Sequence, residues 1–125
     1  MTNTNSILDS VKKMCGITED YSYFDLDIIT AINSALATLT QLGVGPAGGF
    51  LIEDNTAVWN DFMETDGALF GFVKTYVAKK TQMAFDPPTS SSVSSALDAI
   101  ISELEWRISI AADEQNHGRS ILCDD

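Results

Sequence analysis

Between Leu26 and Leu42 the apolar residues Leu26, Ile28, Ile29, Ile32, Leu36, Leu39 and Leu42 recur every three or four positions. Successive helical residues turn by about 100°, so this spacing lines them along one side of a helix of about five turns. The same period returns further down the chain. The alternation of apolar and polar residues that marks a half-buried strand does not. Phe50 to Ile52 is the one β-like run, and three residues without a partner run predict extended loop and no sheet. The expected class is therefore all-α, a small domain of four to five helices with a long C-terminal helix.

Helix boundaries follow from local chemistry. Ile7, Leu8, Val11 and Met14 predict a short amphipathic helix over Ser6 to Cys15, ended by Gly16 and lying as a lid on the core. Asp25 is the expected cap of the second helix, and Gly43, followed by VGPAGG, is its stop. Thr56 to Phe62 predicts a short helix with Val58, Trp59 and Phe62 inward. A turn at Thr65 to Gly67 opens a fourth helix. Its stripe of Leu69, Phe72, Val73, Tyr76 and Met83 is widened by Phe70, Val77 and Ala84, a breadth that predicts cover on two sides. Pro87 and Pro88 must break that helix, because proline lacks an N–H and pushes Asp86 out of the helical region. The last helix is then capped by Thr89 or Ser90 and expected to run to about Asn116. Val93, Leu97, Ile100, Ile101, Leu104, Ile108 and Ala111 mark its core face. The domain is expected over residues 1–112, with 113–125 as an acidic, loosely ordered tail.

Charge and motif content narrow the function. The chain carries 18 Asp and Glu against 7 Lys and Arg, a net charge of -11. Acids exceed bases in both parts, ten to five through residue 85 and eight to two after it, so no basic patch exists to hold nucleic acid. MTNTNSILDSVKKM lacks the order of a secretory leader, which predicts a protein kept inside the cell. A membrane role is not expected, since no apolar run approaches the roughly 20 residues of a span. Cys15 and Cys123 share no metal-ligand spacing and are expected to be structural or incidental.

The string Gly43-Val44-Gly45-Pro46-Ala47-Gly48 satisfies GxGxxG, the dinucleotide fingerprint. That chemistry needs a strand-to-helix turn whose N–H groups face a pyrophosphate, whereas this string follows a helix and contains a proline. It is expected to be a helix-ending loop. His117, the single histidine, falls at a helix end far from any nucleophile. Asp25/Asp27, Glu103/Glu105 and Asp113/Glu114 have spacings that point apart on a helix, so they are expected to be solvated surface. No catalytic residue, metal or cofactor is expected, and the protein is not expected to be an enzyme.

The last helix has two apolar faces. Measured from Leu97, Leu104 and Ile108 lie within about 20°, while Trp106 lies about 180° away and Ile110 about 140° away. Trp106 and Ile110, one turn apart, are either covered by a loop or the N-terminal helix of the same chain or form an exposed patch with a tryptophan of the kind that anchors interfaces. Together with the wide arc at Phe70 and Val77, these residues are the candidate self-association contacts.

The order DIITAINSALATLTQLGVGPAGGF, then TAVWNDF, then AFDPP, then ISELEWRI resembles the small head-tail connector, or adaptor, proteins of long-tailed bacteriophages and prophages, over about residues 6 to 112. The resemblance implies a helical domain assembling into a ring, dodecamer-like, between the portal protein and the next neck or tail protein. Such a ring closes the head and extends a channel through which double-stranded DNA passes without specific binding. It implies a virion protein, present in the host cytoplasm during assembly. A head-to-tail ring needs two different complementary faces per subunit, which double-faced helices could supply. The alternative is an acidic DNA mimic that inhibits a nucleic-acid-binding host protein. Net charge supports it, and scattered acids count against it.

Overall fold

The computed structural model describes residues 5–18 and 21–124, with side chains described as far as residue 114. Five helices follow one another: α1 (Ile7–Met14), α2 (Asp25–Gln41), α3 (Trp59–Phe62), α4 (Ala68–Phe85) and α5 (Ser91–Asp124). The all-α class is the one the apolar spacing predicts. The described residues contain no strand, only an isolated antiparallel bridge between Ser6 and Val58. Around it Ile7 N–H donates to the Ala57 carbonyl at 3.0 Å and Trp59 N–H to the Asn5 carbonyl at 2.9 Å, tying the start of α1 to the start of α3.

Helix α4 is the central element, packed between α2 and α5 and touched by α1. That arrangement explains its unusually broad apolar arc. Val73, Tyr76, Val77, Ala78 and Thr81 are all buried. Ile7, Leu8 and Val11 of α1 and Ile28, Ile32, Ala35, Leu36 and Leu39 of α2 join the same core. Each of the larger side chains contributes roughly 1.5–3 kcal/mol by leaving water.

The ends of α2 show how local residues set its limits. At its C-terminus Gly43 takes φ 97°, a left-handed conformation that costs glycine little. Gly43 N–H then donates to Thr40 at 3.1 Å and Val44 N–H to Leu39 at 2.9 Å, satisfying two end carbonyls, and Val44 is buried. At the other end the expected cap is corrected. Asp25 is already the first helical residue, and Phe24 is the cap position without a side-chain bond. The Asp25 carboxylate instead accepts from Lys12 Nζ at 2.7 Å, and Lys12 also donates to the Tyr21 carbonyl at 2.8 Å. Leu26 is corrected as well: it is 76% exposed, because it faces away from α4.

The loop from residue 44 to 58 crosses α2 and is fastened to it by one side chain. Asn33 donates from Nδ2 to the Ile52 carbonyl at 3.0 Å and accepts from Ile52 N–H at 2.8 Å, so Ile52 is held as if by a neighbouring strand. Helix α3 is shorter than expected. The Asp54 carboxylate accepts from Thr56 N–H at 2.9 Å and from its hydroxyl at 2.5 Å, bonds that hold Thr56 in a turn and keep the Asp54 carboxyl below its usual range. Asp61 then accepts from Val58 N–H at 3.2 Å at the start of α3. Trp59, fully buried, donates from Nε1 to Ser10 Oγ at 2.8 Å.

After Pro87 and Pro88, Ser90 caps α5, its hydroxyl accepting from Val93 N–H at 3.4 Å. The helix continues past the expected end near Asn116 to Asp124. A single glycine inside a helix costs about 1 kcal/mol and does not by itself end it. The side chains of His117 and Cys123 lie outside the described residues.

Candidate interface

Helix α5 packs chiefly on α4. A helix with one main neighbour buries a narrow stripe, and here that stripe is Leu97, Ile101, Leu104, Ile108 and Ala112. Val93 and Ile100, expected on the core face, are exposed for this reason. On the far side Trp106 is 63% exposed and Ile110 39% exposed, as their angular positions require. The other two candidate contacts are placed differently. Val77 has no exposed surface and belongs to this chain's own core, so its assignment to an interface is corrected. The breadth of α4 reflects three neighbouring helices of the same chain. Phe70 is half-buried, standing edge-on to Trp59 with ring centroids 5.6 Å apart, and Lys74 Nζ lies 5.8 Å over its ring. The four residues therefore do not form one patch.

Two of the acidic residues read as solvated surface have partners instead. Asp25 holds Lys12, and Glu105 accepts from Tyr76 Oη at 2.7 Å, joining α5 to α4. Burial of Tyr76, with the Glu105 carboxylate beside it, pushes the Tyr76 pKa well above its ordinary value. Glu103 makes the exposed pair of this helix, with Arg107 Nε at 3.3 Å. The glycine string is a helix-ending loop, as expected. Gly45, at φ 84°, lies so close to the Phe62 ring that an added Cβ would come within 2.5 Å of it, which leaves no cradle for a phosphate there.

A second surface feature has no counterpart in the sequence reading. A groove of about 560 Å³ opens between the first half of α2 and the end of α4, lined by Phe24, Asp27, Ala31, Ser34 and Phe85 among others. Phe24 and Phe85 meet edge-on across it at 5.1 Å. Beside it Tyr23, its ring edge-on to Phe24 at 4.7 Å, stands in solvent. Tyr21 and Tyr23 lack the helical spacing that made the α5 patch legible, and the turn before α2 brings both rings against Phe24.

Among the described residues no group of three or more His, Cys, Asp or Glu side chains is placed to hold a metal, and no helix is long and apolar enough to cross a membrane. Outward apolar side chains of this kind are what association surfaces present. The family is more definite: the chain belongs to the phage connector proteins, whose family model, described as Phage connector protein, matches residues 7–115. Comparison with curated proteins and with solved structures returned no match.

Proposed function

We propose that this phage connector protein forms a ring between the portal and the tail of the virion, closing the DNA-filled head and extending its channel. The match over residues 7–115 carries the reading. The surface supports it: among the described residues no helix covers the side of α5 from which Trp106 and Ile110 project, and uncovered apolar side chains of this kind mark sites of association. A net charge of -11 suits a channel lining, since carboxylates repel phosphate and let DNA slide without being held. In this reading one end of the ring meets the portal and the other presents a docking surface for the next neck or tail protein. The acidic end of the chain, 113–125, is a further docking segment.

The test is to mix the purified protein with portal rings of the same phage and image the product. Added ring density coaxial with the portal is expected, with protection of segment 113–125 from protease on docking. Portal rings that emerge unchanged, with equal cleavage of the segment in both samples, would remove the proposal. The DNA-mimic reading predicts a different result, displacement of DNA from a basic partner by the isolated protein.

A further inference from the structure

We infer that an uncharged groove between the C-terminal half of α2 and the loop at residues 47–51 receives the Val93–Ile100 ridge of α5 from a second copy, so that the subunits join head to tail. The inference deepens the ring reading above and rests on it.

Residues 28–52 carry no charged side chain, although the chain holds 18 acids and 7 bases. A helix side that faces water ordinarily carries charge, and α2 from Ile28 onward shows none there. Ala37 and Gln41, each two positions from the fully buried Leu39, point about 160° away from it and are exposed. With Thr40 and residues 47–51 they line a groove of about 610 Å³, in which Leu51 is 68% exposed. The charges nearest along the chain are Glu53 and Asp54, and Asp54 is turned onto Thr56.

The second uncharged surface is on α5. Val93 is 54% and Ile100 46% exposed, about 40° and 60° to one side of the buried Leu97, with Ala96 exposed between them. The charges of α5 leave this flank free. Asp98 points about 140° away from Val93 and about 160° away from Ile100. Glu105 is on the opposite flank, bonded to Tyr76. Glu103, one turn beyond Ile100, is paired with Arg107 at 3.3 Å. Asp113 and Glu114 lie about 20 Å further along the helix than Ile100. Helix α4, the neighbour of α5, carries Lys74, Lys79 and Lys80 and no acid, and Asp86 beyond its end lies near Cys15 of α1.

Groove and ridge are on opposite sides of α4. The Tyr76 hydroxyl bonds both Glu105 and Thr38 of α2, so the Glu105 flank of α5 is the one turned towards α2. Val93 and Ile100 are on the other flank, and the groove is on the side of α2 turned away from its own core. A copy cannot fill its own groove with its own ridge. Two unlike surfaces therefore remain open on each subunit, and a contact between unlike surfaces of identical subunits propagates as a ring or a filament. Charge selects the occupant. Each copy carries a net charge of -11, so most pairings of surfaces set acid against acid and repel. Joining these two places uncharged side chains against each other and covers Leu51, Val93 and Ile100 together. Trp106 and Ile110, on another side of α5, stay free for the docking described above.

The experiment uses the full chain with Cys15→Ser and Cys123→Ser, made as two pools of different mass, one carrying Gln41→Cys and the other Ala96→Cys. The mixture is treated with a short thiol cross-linker over a concentration series reaching millimolar, in free solution and on portal rings. A cross-linked heterodimer in either setting, with no cross-link in either pool alone, is expected. Leu51→Glu and Ile100→Glu should each weaken self-association about 30-fold or more, by placing an unpaired charge in the contact, while leaving the helical circular dichroism unchanged. Leu26→Glu, the same change at an exposed leucine outside both surfaces, should alter self-association less than about 3-fold. Cross-linked dimer in the Ala96→Cys pool alone would overturn the inference in favour of a two-fold α5 contact. Cross-linking of Gln41→Cys to the portal protein and not to a second copy would overturn it in favour of the portal as occupant. Rings seen by mass and imaging without a cross-link in the mixture would overturn this contact and leave the ring reading standing. Monomers at every concentration, with portal rings left bare, would overturn the contact and the ring together.

Discussion

Replacing Asn33 by alanine should loosen the whole crossing loop, since this one amide satisfies both backbone groups of Ile52. Ile52 is only 2% exposed, so water cannot take over. Leaving a buried donor and a buried acceptor unpaired costs about 1–3 kcal/mol each, and partial relaxation of the loop brings the expected total to about 2–4 kcal/mol. Domains of this size have about 5–15 kcal/mol in all. At about 4 °C per kcal/mol the melting temperature should fall by about 8–16 °C. The assay is thermal denaturation followed by circular dichroism, with amide hydrogen exchange read at Ile52. Exchange at Ile52 should accelerate more than at Val73 or Tyr76, which belong to α4 and make no bond to Asn33. Asn33→Asp adds a control: it keeps the acceptor for Ile52 N–H, and its carboxyl supplies the missing donor only when protonated, below about pH 4. Its deficit relative to the unchanged protein should shrink on acidification. A loss under about 0.5 kcal/mol in Asn33→Ala, with Ile52 still protected, would refute the reasoning.

Gly45→Ala should cost about 2–5 kcal/mol in urea denaturation, because it combines a left-handed φ of 84° with overlap on Phe62, whereas Gly48→Ala, with nothing nearby, should stay within about 0.5 kcal/mol. Tyr76 is neutral in the folded state with its pKa raised above the ordinary 10.0, so its contribution is present below that value and is lost as pH rises towards the folded pKa. Melting temperature should fall on the alkaline side, and Tyr76→Phe should make that fall shallower; an equally steep fall would count against it. Burial raises the Cys15 thiol pKa, so in a Cys123→Ser background iodoacetamide should label the folded protein at least about 10-fold more slowly than the urea-unfolded chain. Trp106→Ala should leave the melting temperature nearly unchanged, because the indole is 63% exposed; a large drop with assembly intact would make Trp106 a core residue.

What was legible in the sequence follows from how far each cause reaches along the chain. The apolar period of α2, the stop at Gly43, the break at Pro87 and Pro88, the Ser90 cap and the outward position of Trp106 and Ile110 depend on neighbours a few residues away. The errors have longer-range causes. Asp25 resembles a cap until α1 brings Lys12 to it, and Leu26 fits the apolar stripe until α4 proves to cover the other side. Val77 looked like spare apolar surface because period alone does not say how many neighbours a helix has. Asn33 gave no signal at all, since its partner Ile52 lies 19 residues away in a loop. The groove was equally hidden, being assembled from the turn before α2, the outer side of α2 and the end of α4.

Native mass across a concentration series, with negative-stain images of the large species, tests the central claim most directly. The account predicts closed rings with a central hole, alone or on the portal. A protein that stays monomeric at every concentration and still leaves portal rings bare would contradict it.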